Sequence, residues 1–153
     1  MNAYLTRRAI LLAPVAVAAC AAPPPPPAVL ALQFIAGGNQ NPDPAGTPAP
    51  VALRVFDLVA TQKFERADVF ALIEREKLTL GTDSLGSEEF VIAPGESRAV
   101  SHTMKAGAQF IGIIAVFRDI DHAVWRVIQA VPAQGTSRLE VRTDGITVKL
   151  KPG

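Results

Sequence analysis

Cysteine is nearly absent from this 153-residue chain, which has one, Cys20. A single thiol excludes an intrachain disulfide framework and any zinc site built on several thiolates. An excess of one charge is also lacking, since 15 Lys and Arg face 14 Asp and Glu. Phosphate binding needs a clustered excess of Lys and Arg, so this balance argues against a nucleic-acid partner. The length allows one domain, or two at most.

Proline is scarce in most of the chain but abundant at its start. Of 13 prolines, only Pro94, Pro132 and Pro152 lie beyond residue 50. Proline interrupts regular structure, so the first third of the chain is predicted to be extended. The fold must therefore lie mainly after it.

Residues 1–19 have the pattern of a bacterial secretory signal. Arg7 and Arg8 precede an 11-residue apolar run that ends in small residues before Cys20. That run is well short of the roughly 20 residues that span a bilayer. Residues 17–20, Val-Ala-Ala-Cys, resemble a lipobox, the site at which bacterial lipoprotein precursors are lipidated and cleaved. We therefore expect a signal peptide over residues 1–19 and covalent lipid on Cys20. A buried packing cysteine is the alternative.

Residues 20–27 are expected to connect the lipid to a folded domain. Position 21 is Ala rather than Asp, which by the sorting rule of lipoprotein precursors favours the periplasmic face of the outer membrane. Pro23–Pro27 are five consecutive prolines, which favour a polyproline II rod of roughly 15 Å. We interpret this rod as a spacer. A ligand for a proline-reading domain is the alternative.

Residues 28–153 are expected to form a single domain built of strands. Two runs, 28–36 and 108–117, are almost continuously apolar, which predicts strands buried on both faces. Pro94-Gly95 and Asp144-Gly145 predict tight turns between strands. The predicted strands lie at 28–36, 51–60, 88–93, 97–104, 108–117, 124–131, 138–143 and 146–150.

One segment departs from the strand pattern. Residues 63–77 carry apolar side chains at helical spacing, which predicts one amphipathic helix of three to four turns, or a shorter helix with Asp68 as its N-cap. Residues 78–87 are rich in turn formers. Since strands and helices do not alternate, the predicted fold is all-β: a two-sheet β-sandwich of about eight strands, with a short helical insertion between strands 2 and 3.

Residues capable of catalysis or metal binding are few. His122 has Asp119 and Asp121 beside it, but a solvated loop explains this cluster better than a catalytic pair. His102 and Met104 lie two apart on one predicted strand, and two soft ligands are too few for a copper site. We therefore predict no enzyme activity, no metal site and no cofactor other than the lipid.

The connection between the first two strands is the leading candidate site. Residues 37–50 contain three glycines and four prolines and show no periodicity. An unstructured connection of this length is uncommon in a compact domain and is usually functional or disordered. Binding residues concentrate on loops held by a rigid scaffold, and proline lowers the entropy lost on binding. A passive connection is the alternative.

The same loop and the segments after it resemble the TssJ (SciN) lipoproteins of the bacterial type VI secretion system. The resemblance begins at Asn41-Pro42-Asp43 and Gly46 and runs in order through the rest of the domain. Its further motifs are residues 50–58 (PVALRVFDL), 64–68 (FERAD) with Phe70 and Leu72, Leu80-Gly81, 94–96 (PGE), 115–119 (AVFRD) and Trp125-Arg126. Phe56 departs from the tyrosine common in that family, and the polyproline tether is unusually regular.

This resemblance implies a transthyretin-like β-sandwich anchored in the outer membrane. Members of the family hold the periplasmic C-terminal domain of the inner-membrane protein TssM, and so complete a membrane complex with TssL. The loop between the first two strands makes that contact, which corresponds here to residues 37–50. The resemblance implies a scaffold without a small-molecule substrate, and partner-binding residues at Asn39, Gln40, Asn41, Pro42, Asp43 and Gly46.

A second hypothesis is a lipoprotein sandwich that binds a small ligand, such as a glycan or copper, through His102, Met104 and Trp125. An exposed Trp125 beside His102 would favour it. A buried Trp125 packed on Phe117 would favour the scaffold. An unrecognised hydrolase is a third hypothesis.

Overall fold

The computed structural model describes residues 21–153, so the expected signal peptide and the lipidation site at Cys20 lie outside the described residues. Eight strands form two four-stranded sheets, which confirms the predicted sandwich. Sheet A has the order β4-β1-β7-β8 and sheet B the order β3-β2-β5-β6. The strands are β1 (Val29–Ala36), β2 (Val51–Leu58), β3 (Ser84–Ile92), β4 (Ser97–Thr103), β5 (Phe110–Val116), β6 (Arg126–Ala130), β7 (Thr136–Asp144) and β8 (Thr147–Pro152).

Strand β1 lies between two partners in sheet A, antiparallel to β4 and parallel to β7. Its burial alternates, with Leu30, Leu32 and Phe34 in the core and the residues between them half-buried. The prediction that this strand is buried on both faces is therefore wrong. Among the described residues, no helix or strand packs over the outer face of sheet A.

Strand β5 is an inner strand of sheet B, as predicted. It pairs with β2 on one side and β6 on the other, and Ile111, Ile113 and Ile114 have no exposed surface. Its two faces are covered differently. Sheet A covers one face and the helical insertion covers the other, so two apolar layers share this strand.

The helical insertion consists of three short helices rather than one long helix. They are α1 (Gln62–Arg66), α2 (Val69–Glu74) and α3 (Glu76–Leu80), followed by a 3-10 turn. The single amphipathic helix is wrong because Ala67 and Asp68 adopt extended backbone angles. The alternative with Asp68 as N-cap is confirmed, since its Oδ1 accepts from the Ala71 N–H at 2.8 Å.

The predicted strand ends lie within two residues of those in the structure, except at the start of β3. β3 begins at Ser84 rather than residue 88, because it pairs with the whole of β2 as far as Leu58. Residues Gly145 and Ile146 join β7 to β8, one position later than predicted. The Pro94-Gly95 turn is where it was expected, with Gly95 at φ 75 and the Glu96 N–H donating to the Ala93 carbonyl.

The insertion is fixed to sheet B by a small set of close contacts. The ring of Phe64 on α1 lies edge-on to Phe56, with 5.2 Å between ring centroids. The Arg126 guanidinium donates to the carbonyl oxygens of Phe64 and Ala67, at 2.6 and 2.9 Å. Gly112 lies beneath the Phe64 ring, and a Cβ at that position would be 2.8 Å from Phe64 Cζ. The sequence therefore keeps glycine where the helix approaches the sheet.

The two ends of the sandwich have different connections. Residues 21–28 enter at the start of β1, where Val29 pairs with Thr103; we call this the tether end. Residues 37–50 leave from the opposite end of β1, which we call the loop end. Among the described residues, no helix is long and apolar enough to cross a membrane.

Candidate functional site

The loop of residues 37–50, here called the β1–β2 loop, is held in place by backbone hydrogen bonds. The Gly37 N–H donates to the Thr143 carbonyl and the Asn41 N–H to the Gly145 carbonyl, both at 2.7 Å. Within the loop, the Ala49 N–H donates to the Gln40 carbonyl at 3.1 Å. The loop is therefore ordered against the β7–β8 turn, although it has no helix or strand of its own.

Gln40 anchors the base of the loop inside the domain. Its side chain is fully buried, and its Nε2 donates to the Ile92 carbonyl at 2.7 Å. Its Oε1 accepts from the hydroxyl of Thr143, which is also buried. A buried amide with a partner for its donor and its acceptor is stable.

Asn41 connects the loop to the residue before β2 and to the β5–β6 connection. Its side chain is 4% exposed, with Nδ2 donating to the Pro50 carbonyl at 2.7 Å and Oδ1 accepting from the Arg118 N–H at 2.8 Å. Its φ of 48 lies in the left-handed region, which asparagine tolerates better than most residues. Asn41 therefore closes the loop and ties it to the β5–β6 connection.

The prediction that Gln40 and Asn41 offer polar groups to a partner is wrong. Both side chains are buried, and their donors and acceptors are used within the domain. Composition alone could not show this, because a polar side chain in a loop is ordinarily solvated. The partner carbonyls and hydroxyl come from residues distant in sequence.

The exposed part of the loop is a hydrogen-bonded turn, here called the tip, residues 42–48. Asp43 Oδ1 accepts from the backbone N–H groups of Thr47 and Ala45, at 2.8 and 2.9 Å. These two N–H groups, Thr47 first, hold the pKa of the Asp43 carboxyl below its usual range. Gly46 has φ 85, a conformation that suits glycine. The tip is thus rigid and carries a fixed negative charge.

Four of the six predicted contact residues remain at the surface. Asn39 and Gly46 are exposed, and Pro42 and Asp43 are half-buried. Pro44, Thr47 and Pro48 are exposed beside them and were not predicted as contacts. Apart from Asn39, which precedes the buried pair, these residues belong to one continuous stretch of chain, the tip.

A cleft of about 580 Å³ lies between the tip and two neighbouring connections. Arg118 and Asp119, from the β5–β6 connection, form part of its wall. The sequence analysis did not place these residues beside the loop, since only folding brings them there. The cleft is lined by Pro42, Asp43, Pro44, Arg118, Asp119, Gly145 and Ile146.

His122 also lies in the β5–β6 connection and forms an exposed pair with Asp119. The His122 Nδ1 is 2.7 Å from Asp119 Oδ1, and the imidazole is 78% exposed. This hydrogen bond raises the pKa of His122. A solvated pair of this kind matches the interpretation of the segment as a surface loop.

His102 and Met104 are not available as ligands in this arrangement. Met104 is 2% exposed and belongs to the apolar core. The ring nitrogens of His102 face two carboxylates, with Nε2 2.7 Å from Asp57 Oδ1 and Nδ1 3.3 Å from Glu88 Oε2. The cleft at this site, about 310 Å³, is lined by Asp57, Gly86, Ser87, Glu88, Ser101, His102, Thr103 and Lys105.

Trp125, the third residue of the small-ligand hypothesis, lies elsewhere. It is half-buried, packs against both apolar clusters, and carries the Arg126 guanidinium 4.5 Å from its ring centroid. Its carbonyl accepts from the Ala115 N–H near the loop end, whereas His102 pairs with Leu30 near the tether end. The three residues therefore do not converge on one site.

Comparison of the chain with protein-family models identifies one matching family. Residues 28–151 match the family model T6SS-SciN, described as type VI secretion lipoprotein, VasD, EvfM, TssJ, VC_A0113. No curated protein matches the chain.

Solved structures with the same fold come from the same secretion system. The T6SS lipoprotein TssJ1 from Pseudomonas aeruginosa is 35% identical, with a TM-score of 0.80 over 84% of this chain and 98% of that one. Serratia marcescens Lip, described as a membrane-bound component of the type VI secretion system, is 26% identical, with a TM-score of 0.69 over 83% and 96%. A structure described as the TssM C-terminal domain (869-1107) from EAEC is 27% identical, with a TM-score of 0.68 over 82% and 98%.

Proposed function

The chain belongs to the TssJ (SciN) family of type VI secretion lipoproteins, and from this membership we propose that it is a structural scaffold of the secretion membrane complex. It is anchored to the periplasmic face of the outer membrane by lipid on Cys20. It binds the periplasmic C-terminal domain of TssM through the tip of the β1–β2 loop, and through TssM it is linked to TssL. It catalyses no reaction.

The position of the loop relative to the tether supports this role. Residues 21–28 enter at one end of β1 and the β1–β2 loop leaves at the other, so an eight-residue strand of roughly 26 Å separates them. A domain attached to lipid at the tether end can thus present the loop end to a partner at a distance from the anchor. An adaptor between an outer-membrane anchor and an inner-membrane protein requires this polarity.

One observation carries the docking proposal: the tip is exposed and rigid at the same time. Gln40 and Asn41 fix its base, and Asp43 closes it with two N–H bonds. A preorganised loop loses little conformational entropy on binding. We therefore assign the contact to Asn39, to the tip residues Pro42, Asp43 and Gly46, and to the exposed prolines beside them.

The chemistry expected of the partner follows from the charges at the loop end. Asp43 and Asp119 line the cleft beside the tip, and Asp144 directly precedes the lining residue Gly145. These acids outnumber Arg118, the cation of the lining. We therefore expect the matching surface of TssM to present Lys or Arg with an apolar segment for the prolines. Complementary charge of this kind chiefly raises the association rate and depends on salt.

A pair of substitutions at Asp43 tests the docking proposal. Asp43→Asn keeps Oδ1 as an acceptor for Ala45 and Thr47 but removes the charge, whereas Asp43→Ala removes both. In a binding assay against the TssM C-terminal domain, Asp43→Asn should lower the association rate. Asp43→Ala should lower the association rate and also raise the dissociation rate. Wild-type kinetics in both variants would exclude the tip as the contact.

The lipid anchor is tested separately. Cys20→Ser removes the thiol that lipid would occupy, so the protein should be recovered in the soluble periplasmic fraction rather than with outer membranes. Fractionation of this variant with the outer membrane would show that another feature attaches it. Because this readout does not involve TssM, the anchor and the docking site can fail independently.

A further inference from the structure

The outward face of the β7–β8 hairpin, here called the basic face, concentrates positive charge. It presents Arg138, Arg142, Lys149 and Lys151, all exposed, together with the acids Glu140 and Asp144. Arg142 pairs with Glu140 at 2.9 Å, and among the described residues the other three cations form no ion pair. The basic face therefore has a net charge of +2.

The neutral balance of the whole sequence conceals this local excess. Of the 15 Lys and Arg, Arg7 and Arg8 precede the described residues, so 13 cations remain there against 14 acids. The basic face holds four of those cations and two of the acids. The remaining described chain thus has nine cations and 12 acids, and it is net negative.

One cross-strand pair of the basic face brings like charges together, whereas Lys151 lies opposite Glu140. Arg142 and Lys149 are direct cross-strand partners, and like charges placed directly opposite each other repel. The neighbouring outward positions on β1 and β4 do not neutralise them, because they carry small or neutral side chains: Ala31, Gln33, Ala99 and Ser101. An anionic surface laid on this face would remove the repulsion.

The basic face runs along the whole of β7, from the tether end to the loop end. β1 and β7 are parallel neighbours, and Ala31, two residues after the start of β1, is level with Arg138. Neighbouring strands are about 4.8 Å apart, so this cation is close to the tether end. Arg142 is level with Ile35, so Arg142 and its cross-strand partner Lys149 lie near the loop end.

We propose that the basic face rests on the anionic phospholipid headgroups of the membrane to which the protein is anchored. The proposal rests on the lipid anchor proposed above. The anchor holds the domain within reach of the headgroups, whose attraction for Lys and Arg is short-ranged, about 8 Å at physiological salt. With the basic face on the headgroups, the strands of sheet A run along the membrane surface, and the tip lies about one strand length from the point where the tether enters.

The test uses a chain that starts at Cys20 and is coupled through this single thiol to a maleimide phospholipid. Both sheets and both apolar clusters lie within residues 28–152, so this chain contains the complete folding unit. Chemical coupling makes the test independent of whether cells lipidate Cys20. The probe vesicles are either pure phosphatidylcholine or phosphatidylcholine with phosphatidylglycerol.

Lysine acetylation followed by mass spectrometry gives an internal control. The five lysines of the chain are all exposed: Lys63 and Lys77 on the helical insertion, Lys105 at the tether end, and Lys149 and Lys151 on the basic face. Vesicles with phosphatidylglycerol should slow the acetylation of Lys149 and Lys151 about fivefold relative to that of Lys63 and Lys77. High salt should abolish this difference.

Two double variants with the same change in net charge show whether protection depends on the charge of the basic face or on the net charge of the whole protein. Arg138→Glu with Arg142→Glu should restore the Lys149 and Lys151 rates to those on phosphatidylcholine. Arg66→Glu with Arg75→Glu, both exposed on the helical insertion, should leave the protection intact. Equal relative rates on the two lipids would overturn the proposal, as would protection of Lys149 and Lys151 by peptidoglycan sacculi and not by lipid.

Discussion

His102 on β4 and Asp57 on β2 join the two sheets through a buried hydrogen bond of 2.7 Å between Nε2 and Oδ1. The other oxygen of Asp57 accepts from the Lys105 N–H at 2.8 Å, and the second ring nitrogen of His102 faces Glu88. Imidazolium can donate to both carboxylates, whereas neutral imidazole can donate to one. Folding therefore favours the protonated ring.

This bridge predicts a stability that falls as the pH rises above about 6.5. The hydrogen bond to Asp57, opposed by desolvation, raises the pKa of His102. Because the pKa of His102 is higher in the folded than in the unfolded protein, its protonation stabilises the fold fully at pH values below the unfolded pKa, near 6.5. This stabilisation is lost as the pH rises through the folded pKa. In urea unfolding, the wild type should be more stable at pH 6 than at pH 8.

Histidine substitutions identify the source of that dependence. His102→Asn should lower the free energy of unfolding by about 1–3 kcal/mol, because Asp57 stays buried without one partner. It should also flatten the pH profile. The matched control is His122→Asn, since the pKa of His122 is also raised but its ring is exposed. If His122→Asn flattened the profile and His102→Asn did not, the sheet bridge would not be the titrating site.

The β1–β2 loop should lose its order when Asn41 is changed. Asn41→Ala removes two hydrogen bonds and leaves alanine at φ 48. We therefore expect the free energy of unfolding to fall by about 2–3 kcal/mol. Hydrogen exchange should speed up at residues 39–49 and at Arg118. Asn39→Ala, at an exposed position, should change stability by less than about 0.5 kcal/mol. Equal effects of the two substitutions would contradict the clamping role of Asn41.

Gly112 should tolerate no side chain. An alanine Cβ would lie 2.8 Å from Phe64 Cζ and 2.9 Å from Leu58 Cδ1, so Gly112→Ala should destabilise the domain by about 1–3 kcal/mol through overpacking. Gly38→Ala is the control, because nothing lies within 4 Å of its Cβ. Thermal melting of the two variants tests this prediction. A melting temperature of Gly112→Ala equal to that of the wild type would show that α1 moves freely on sheet B.

The sequence predicted the parts of the fold that depend on local pattern. Apolar periodicity indicated the strands, and Pro94-Gly95 indicated its turn, because each signal lies within a few residues. The length of the helix could not be read in this way. Asp68 favours an N-cap, but the apolar helical spacing continues on both sides of it, so the pattern is compatible with one helix or with two. The structure has the broken form, with Ala67 and Asp68 extended.

The candidate site was predicted as a loop but not residue by residue. Gln40 looks solvated in the sequence, yet Thr143, 103 residues later, gives it a buried partner. His102 looked like an isolated histidine because Asp57 lies 45 residues earlier. Contacts of such separation depend on the strand order, which periodicity does not determine.

Burial within the loop also changes how the docking site should be tested. Replacement of residues 39–46 by a flexible linker would remove Gln40 and Asn41, so it would lower the melting temperature and confuse loss of binding with unfolding. Replacement should be confined to residues 43–47, which are outside the buried base. The matched control replaces residues 132–134, which are exposed at the tether end.

The affinity of residues 21–153 for the TssM C-terminal domain, measured by calorimetry for wild type and for these two replacements, tests the central claim most directly. The account predicts that Gly-Ser-Gly-Ser-Gly at residues 43–47 weakens binding at least about tenfold, a loss of roughly 1.4 kcal/mol. Gly-Ser-Gly at residues 132–134 should leave the affinity unchanged, with both melting temperatures within about 3 °C of wild type. Wild-type affinity in the tip variant, or an equal loss in the control, would contradict the assignment of the tip as the docking site.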